Sequence, residues 1–176
     1  MITPCTSSAI GLRSAFLVLA LAAASTLLST QTSATEVAGR VVAISDGDTL
    51  TLLAEGRRQV RVRLAEIDAP ESRQPYGSRS RQALSDLAFG QPVRVVVVDT
   101  DRYGRTVGRV YTGPRDVNAE MVRRGAAWVY RRYSRDPSLL RLEAEARAAR
   151  RGLWALSEAQ RTPPWEWRAM RRGARH

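Results

Sequence analysis

The chain has 176 residues with 28 basic against 17 acidic side chains, a net charge of +11, and is 44% hydrophobic and 6% aromatic. This composition describes one soluble globular domain and argues against a two-domain enzyme. The only cysteine is Cys5 and the only histidine is His176, which excludes disulfide staples, thiolate metal sites, Ser-His-Asp triads, zinc HExxH sites and histidine-pair nucleases. Every basic residue other than His176 is arginine, whose guanidinium fork grips phosphate in two-point contact, so the charge points to nucleic acid first and an anionic membrane surface second.

Residues 1–34 read as an export signal: Arg13 precedes an apolar run over 15–28, and the small residues Thr32, Ser33 and Ala34 follow. The run falls short of the ~20 apolar residues a spanning helix needs, which favours a cleaved signal over a retained anchor. A mature chain starting near Thr35 would work outside the cytoplasm, in the periplasm or beyond the cell. The ~140 residues left can bury about two-thirds of their unfolded surface without staples.

From Val37 the apolar period is two, over 37–44, 49–53 and 60–64, with turns at Asp46-Gly47-Asp48 and Glu55-Gly56-Arg57. Helical spacing takes over in 75–89 through Ala83, Leu84, Leu87 and Ala88, and stops at Gly90. Strands resume over 92–98 and 106–111. Helices are expected over 117–124, ending at Gly125, and from 137 or 138 to 151, ending at Gly152. Five strands with a helix after the third, then helices at the end, predict a mainly β α+β domain over 35–157. Its architecture is a small closed OB-type barrel with about three helices. The tail over 158–176 carries Pro163-Pro164-Trp165-Glu166-Trp167-Arg168 and is expected to be extended and docked through its tryptophans. Trp128, Tyr130 and Trp154, which adjoin helix ends and apolar neighbours, are expected in the core.

With histidine absent, the chemistry must rest on carboxylates, arginines and hydroxyls. Asp48 follows a glycine turn, and Asp68 and Glu71 flank Ala69-Pro70; together these could share a hard cation, Ca²⁺ or Mg²⁺, with the Ala69 carbonyl as a further oxygen donor. Taken alone, Asp-Gly-Asp-Thr is an ordinary tight turn and Asp-Ala-Pro-Glu an ordinary loop. Arg63 and Arg105, likewise, read alone as solvated residues.

These pieces nevertheless occur in one order. Ser45-Asp46-Gly47-Asp48-Thr49, Val62-Arg63-Leu64-Ala65-Glu66-Ile67-Asp68-Ala69-Pro70-Glu71, Asp101-Arg102-Tyr103-Gly104-Arg105 and Asn118-Ala119-Glu120-Met121-Val122-Arg123-Arg124-Gly125 stand in register. On these four segments the sequence resembles the staphylococcal nuclease (thermonuclease) family, over essentially all of 37–154. The resemblance implies a five-stranded OB barrel and a Ca²⁺-dependent phosphodiesterase acting on DNA and RNA. By the same resemblance Asp48 and Asp68 match carboxylate ligands of Ca²⁺, and Ala69 the carbonyl donor, a position where the family often has threonine. Glu71 matches the residue assigned to activate or position the attacking water, and Arg63 and Arg105 the pair that grips the scissile phosphate. Tyr103 and Tyr133 keep aromatic positions near the nucleotide, whereas Arg131 stands where the staphylococcal enzyme has a tyrosine. The loop between Glu71 and Tyr76 is shorter than in that enzyme.

The roles agree with elementary chemistry. Phosphodiester hydrolysis puts extra negative charge on the phosphoryl oxygens in the transition state, where a dication and two guanidiniums stabilise it more than the ground state. A glutamate beside the cation can accept a proton from water, so no histidine is needed. One local conflict stands out, because in a straight strand Arg63 and Asp68 would face opposite sides; the strand must bend or end near Glu66. The rival readings are a catalytically silent OB-fold nucleic-acid-binding module, against which the presence of all five of Asp48, Arg63, Asp68, Glu71 and Arg105 speaks, and a basic structural protein of the cell envelope. A monomer is the simplest oligomeric reading.

Overall fold

The computed structural model describes residues 35–173; the export segment expected over 1–34 lies outside them. Strands β1 (Glu36–Asp46), β2 (Thr49–Ala54) and β3 (Gln59–Leu64) form the expected antiparallel meander. A short turn, Ala65-Glu66, leads to the two-residue β4 (Ile67–Asp68) and then to α1 (Gly77–Ala88). Next come β5 (Pro92–Thr100), β6 (Thr106–Thr112), β7 (Arg115–Asp116) and α2 (Val117–Arg123), and then β8 (Trp128–Val129), α3 (Pro137–Ala148) and α4 (Pro164–Gly173).

Closure is visible in the pairing. β5 runs antiparallel to both β1 and β6, and β6 lies parallel to β3 with Val62 opposite Thr106 and Leu64 opposite Gly108. The ring of β1, β2, β3, β6 and β5 is the five-stranded barrel, and closing it removes the open edges that a flat sheet would leave. Register shifts between Val41 and Ala43, Ile44 and Asp46, and Val97 and Asp99 mark the bulges that let β1 and β5 curve round it.

The period-two residues fill the interior: Leu50, Leu52, Val62, Leu64, Val95 and Val110 are fully buried. α1 covers one end with Leu84, Leu87 and Ala88, and α2 and α3 pack on each other through Met121, Val122 and Leu139. Asp116 caps α2 by accepting from the Ala119 N–H (2.9 Å), and Asp136 caps α3 by accepting from the Ser138 N–H (2.8 Å), with Pro137 at the first helical turn. Asn118 sits at the junction. Its amide donates to the Ala65 carbonyl (2.8 Å) and its oxygen accepts from the Val110 N–H (3.0 Å), tying α2 to the β3 exit and to β6.

One expectation is corrected. The tail is not extended, because Pro163-Pro164 leads into α4, which runs to Gly173. Proline is tolerated in the first turn of a helix, where its missing N–H has no intrahelical partner to lose. Docking through tryptophan holds: the Trp165 ring stacks on Tyr130 (5.2 Å, 2° between planes) and meets Trp128 edge-on at 5.9 Å. Trp128 and Trp154 are buried in a second apolar cluster, and Tyr130 is half-buried beneath the tail. Among the described residues no helix is long and apolar enough to cross a membrane.

Candidate active site

The turn between β1 and β2 places Asp48 inside the protein. Gly47 makes this possible, since a Cβ there would lie 1.9 Å from Ser80 Oγ of α1 and 2.7 Å from the Ala69 Cβ. Asp48 is buried, accepts from the Thr49 hydroxyl (3.0 Å) and the Ala69 N–H (3.0 Å), and its backbone carbonyl accepts from the Leu64 N–H (2.8 Å). The β1–β2 turn is thereby locked to the loop that carries Asp68.

The parity conflict resolves at Glu66. β3 ends at Leu64, Glu66 takes a left-handed conformation (φ 65°), and β4 restarts with Asp68 turned to the side of Arg63. The Glu66 turn is held by its carbonyl, which accepts from the Tyr130 N–H (2.8 Å), and by its carboxylate, which accepts from the Ser134 hydroxyl (2.8 Å). Arg63 then bridges the two aspartates, with Nη1 at 2.7 Å from Asp48 Oδ1 and Nη2 at 3.0 Å from Asp68 Oδ1.

Arg105 joins from the β5–β6 turn. Its Nε pairs with Asp101 Oδ2 at 2.7 Å, and its Nη1 reaches Thr49 Oγ1 at 3.5 Å. Glu71 joins from the other side through a residue the sequence did not single out. Arg168 of α4 donates to both oxygens of Asp68 (3.1 and 2.7 Å) and to Glu71 Oε1 (2.8 Å). The polar chain Arg105–Thr49–Asp48–Arg63–Asp68–Arg168–Glu71 thus runs unbroken across the mouth of the barrel.

The electrostatics are those of crowded carboxylates. Burial works against the charge on Asp48, yet Arg63 and the Ala69 N–H outweigh it and hold the carboxyl below its ordinary value. Asp68 is pushed up by burial and by the charge of Asp48, against the pull of Arg168 and Arg63. Asp46, two residues before Asp48, is raised to about 7 by burial and by Asp48. Arg63 and Arg168 are both held protonated more firmly than a free arginine, because their aspartate partners outweigh burial.

The donor set suits a hard divalent cation. It is made of oxygen alone, and Asp48 and Asp68 are buried and repel each other, which a dication between them would relieve. Among the described residues no group of three His, Cys, Asp or Glu side chains converges to hold an ion. Two carboxylates would therefore have to be completed by backbone carbonyl oxygen and water. The Ala69 N–H faces Asp48.

Of the other expected residues, Tyr103 and Tyr133 are exposed, at 68% and 66%, with Arg102 lying over the Tyr103 ring (4.8 Å) and Tyr130 edge-on to the Tyr133 ring (4.9 Å). Arg131 pairs with the buried Glu143 (2.8 Å), a structural contact. Arg168 and Asp46 were missed. Nothing in spacing distinguishes Arg168 among 28 basic residues, whereas Asp46 was legible as a second carboxylate in the same tight turn. A cavity of about 530 Å³ on another face, lined by Asp86, Gln91, Pro114 and Arg115 among others, gathers no comparable chemistry.

Comparison with known proteins agrees with this geometry. The family model described as "Staphylococcal nuclease homologue" matches residues 61–156. The chain is 47% identical over 167 residues to Protein ParB of Escherichia coli, covering 89% of this chain and 93% of that one. It is 45% identical over 166 residues to the micrococcal nuclease of Shigella flexneri (88% and 94% covered). An uncharacterized endonuclease of Escherichia coli O157:H7 is 48% identical over 134 residues (76% and 86% covered). With an OB barrel, the acidic and arginine residues at its mouth, and these relatives all in accord, the chain belongs to the family of staphylococcal nuclease homologues.

Proposed function

We propose that this chain is a Ca²⁺-dependent, exported endonuclease that cuts DNA and RNA with little sequence preference. That it is a nuclease, a hydrolase of phosphodiester bonds in nucleic acid, follows from its family and from relatives that bear nuclease and endonuclease names. The observation that carries the finer reading is the unbroken polar chain from Arg105 to Glu71, which gathers five separated residues at one barrel mouth.

In this reading Asp48 and Asp68, with the Ala69 carbonyl, hold the cation. Bound there, it supplies a dication's charge beside the phosphoryl oxygens. Arg63 and Arg105 take the scissile phosphate from either side of Asp48, and their guanidiniums match the charge that builds on its oxygens in the transition state. Glu71, half-exposed beside Asp68, orients a water and accepts its proton. Tyr103 and Tyr133 offer exposed rings for the bases. Export is supported by the apolar run behind Arg13.

The test is hydrolysis of single-stranded DNA and of RNA in Ca²⁺, Mg²⁺, Mn²⁺ and chelator, with Asp68→Asn alongside. Cutting of both polymers in Ca²⁺, loss in chelator, and a fall of about 10²-fold or more in Asp68→Asn are expected, the scale of losing one group that stabilises the transition state. Equal rates in Ca²⁺ and chelator contradict the reading.

A further inference from the structure

Beside Glu71, α4 and the loop before α1 enclose a groove of about 380 Å³ lined by Glu71, Ser72, Arg73, Trp167, Arg168, Arg171 and Arg172. Its charge is unbalanced. Arg168 is paired with both Asp68 and Glu71, whereas Arg73, Arg171 and Arg172 are exposed and form no ion pair with a carboxylate among the described residues. Three guanidiniums held together without a counter-charge repel one another, and an anion between them relieves that cost. Trp167 adds an apolar wall, and the groove opens at Glu71, directly beside the proposed cutting site. α4 lies beyond residue 156, where the match to the family model ends.

We propose that this groove is a second nucleic-acid subsite, in which Arg73, Arg171 and Arg172 hold a phosphate of the strand next to the one being cut, with a neighbouring base against Trp167. The proposal rests on the nuclease reading for its substrate. A strand leaving the mouth past Glu71 meets the groove with its next phosphates, and arginine forks and an aromatic wall are the elements that grip single strands without reading sequence. α4 is placed for the task by the Trp165 stack on Tyr130 and by Gln74, whose side-chain amide donates to the Thr162 carbonyl.

The test is fluorescence anisotropy of labelled oligothymidylates of two and eight nucleotides, in chelator so that nothing is cut, across a salt series. The full chain is compared with Arg171→Gln/Arg172→Gln, with Arg73→Gln on the opposite wall, and with Arg57→Gln/Arg58→Gln at the far end of β2 as a charge control. The double variant is expected to bind the octamer about tenfold more weakly, with the salt slope reduced by about 0.7, the contribution of one phosphate contact on a single strand. Arg73→Gln shifts both in the same direction. The gain in affinity from two to eight nucleotides shrinks in these variants and persists in the control. Octamer binding and slope equal to the unaltered chain, an equal loss in the control, or no octamer binding by the unaltered chain overturns the proposal. Hydrolysis of the octamer on adding Ca²⁺ is scored separately: its absence beside the expected binding losses removes the nuclease reading and leaves the subsite standing.

Discussion

Arg168 and Asp68, one hundred residues apart in sequence, form a two-point ion pair in which Nη1 lies 3.1 Å from Oδ1 and Nη2 2.7 Å from Oδ2. The same Nη1 reaches Glu71 Oε1 at 2.8 Å. A guanidinium therefore occupies the Asp68 oxygens that the proposed cation would use and ties them to Glu71. In the proposed reading a cation at Asp68 displaces at least one of these hydrogen bonds, and a hydrogen bond to a charged group contributes about 1.5 kcal/mol. Arg168→Ala is expected to tighten Ca²⁺ binding by about tenfold, measured by calorimetry without nucleic acid. Unchanged or weaker binding would mean that Arg168 does not compete with the cation.

The same displacement links the cation to the tail. Trp165→Ala removes the stack on Tyr130 and the edge contact with Trp128, which together with lost burial contribute about 2 kcal/mol to docking α4. Amide hydrogen exchange over 164–173 should accelerate by more than tenfold in chelator. Ca²⁺ affinity should move in the same direction as in Arg168→Ala. Unaltered exchange would show that α4 is held by something other than its tryptophan.

Gly47 tests the placement of Asp48. A methyl group there meets Ser80 Oγ and the Ala69 Cβ, and Ser80 is itself buried and donating to the Ala126 carbonyl (2.6 Å), so neither neighbour can give way cheaply. Gly47→Ala should cost about 1–3 kcal/mol in urea unfolding and lower nuclease activity by shifting Asp48. Full stability with full activity would contradict the close packing of this turn.

Acid stability should depend on Asp136. Hydrogen bonds from Ser138 hold its carboxyl down to about 2, against some burial and with help from Arg109. A depressed carboxylate stabilises the fold above its unfolded value near 4, and that contribution is lost as pH falls towards about 2. Asp136→Asn should therefore lower stability at pH 6 while narrowing the loss between pH 4 and pH 2, as followed by urea unfolding. The same loss in both proteins over that range would show that Asp136 does not titrate with unfolding.

The barrel was legible because its interior strands alternate strictly: Leu50, Leu52, Val62 and Leu64 fall on one parity, and Gly47, Gly56, Gly104 and Gly113 punctuate the turns. The break near Glu66 was legible as well, since Arg63 and Asp68 could share a site only if the strand ended between them. α4 was not, because Pro163-Pro164 reads as extended chain, and nothing local reveals that Pro164 can open a helix whose stability comes from Trp165 packing on distant rings. Arg168 was illegible for the same reason, its partners being brought to it by tertiary docking alone. Asp46 shows the intermediate case: its place in the turn is local, while its rise to about 7 requires the burial that only the closed barrel provides.

The most direct test of the site is release of acid-soluble nucleotides from single-stranded DNA by the purified chain, in Ca²⁺ and in chelator, with Glu71→Ala beside it. Calcium-dependent release that falls by orders of magnitude in Glu71→Ala is the expected result, because in the proposed mechanism Glu71 takes the proton from water. Undiminished release by Glu71→Ala, or DNA held tightly at low salt without any release in Ca²⁺, would contradict it.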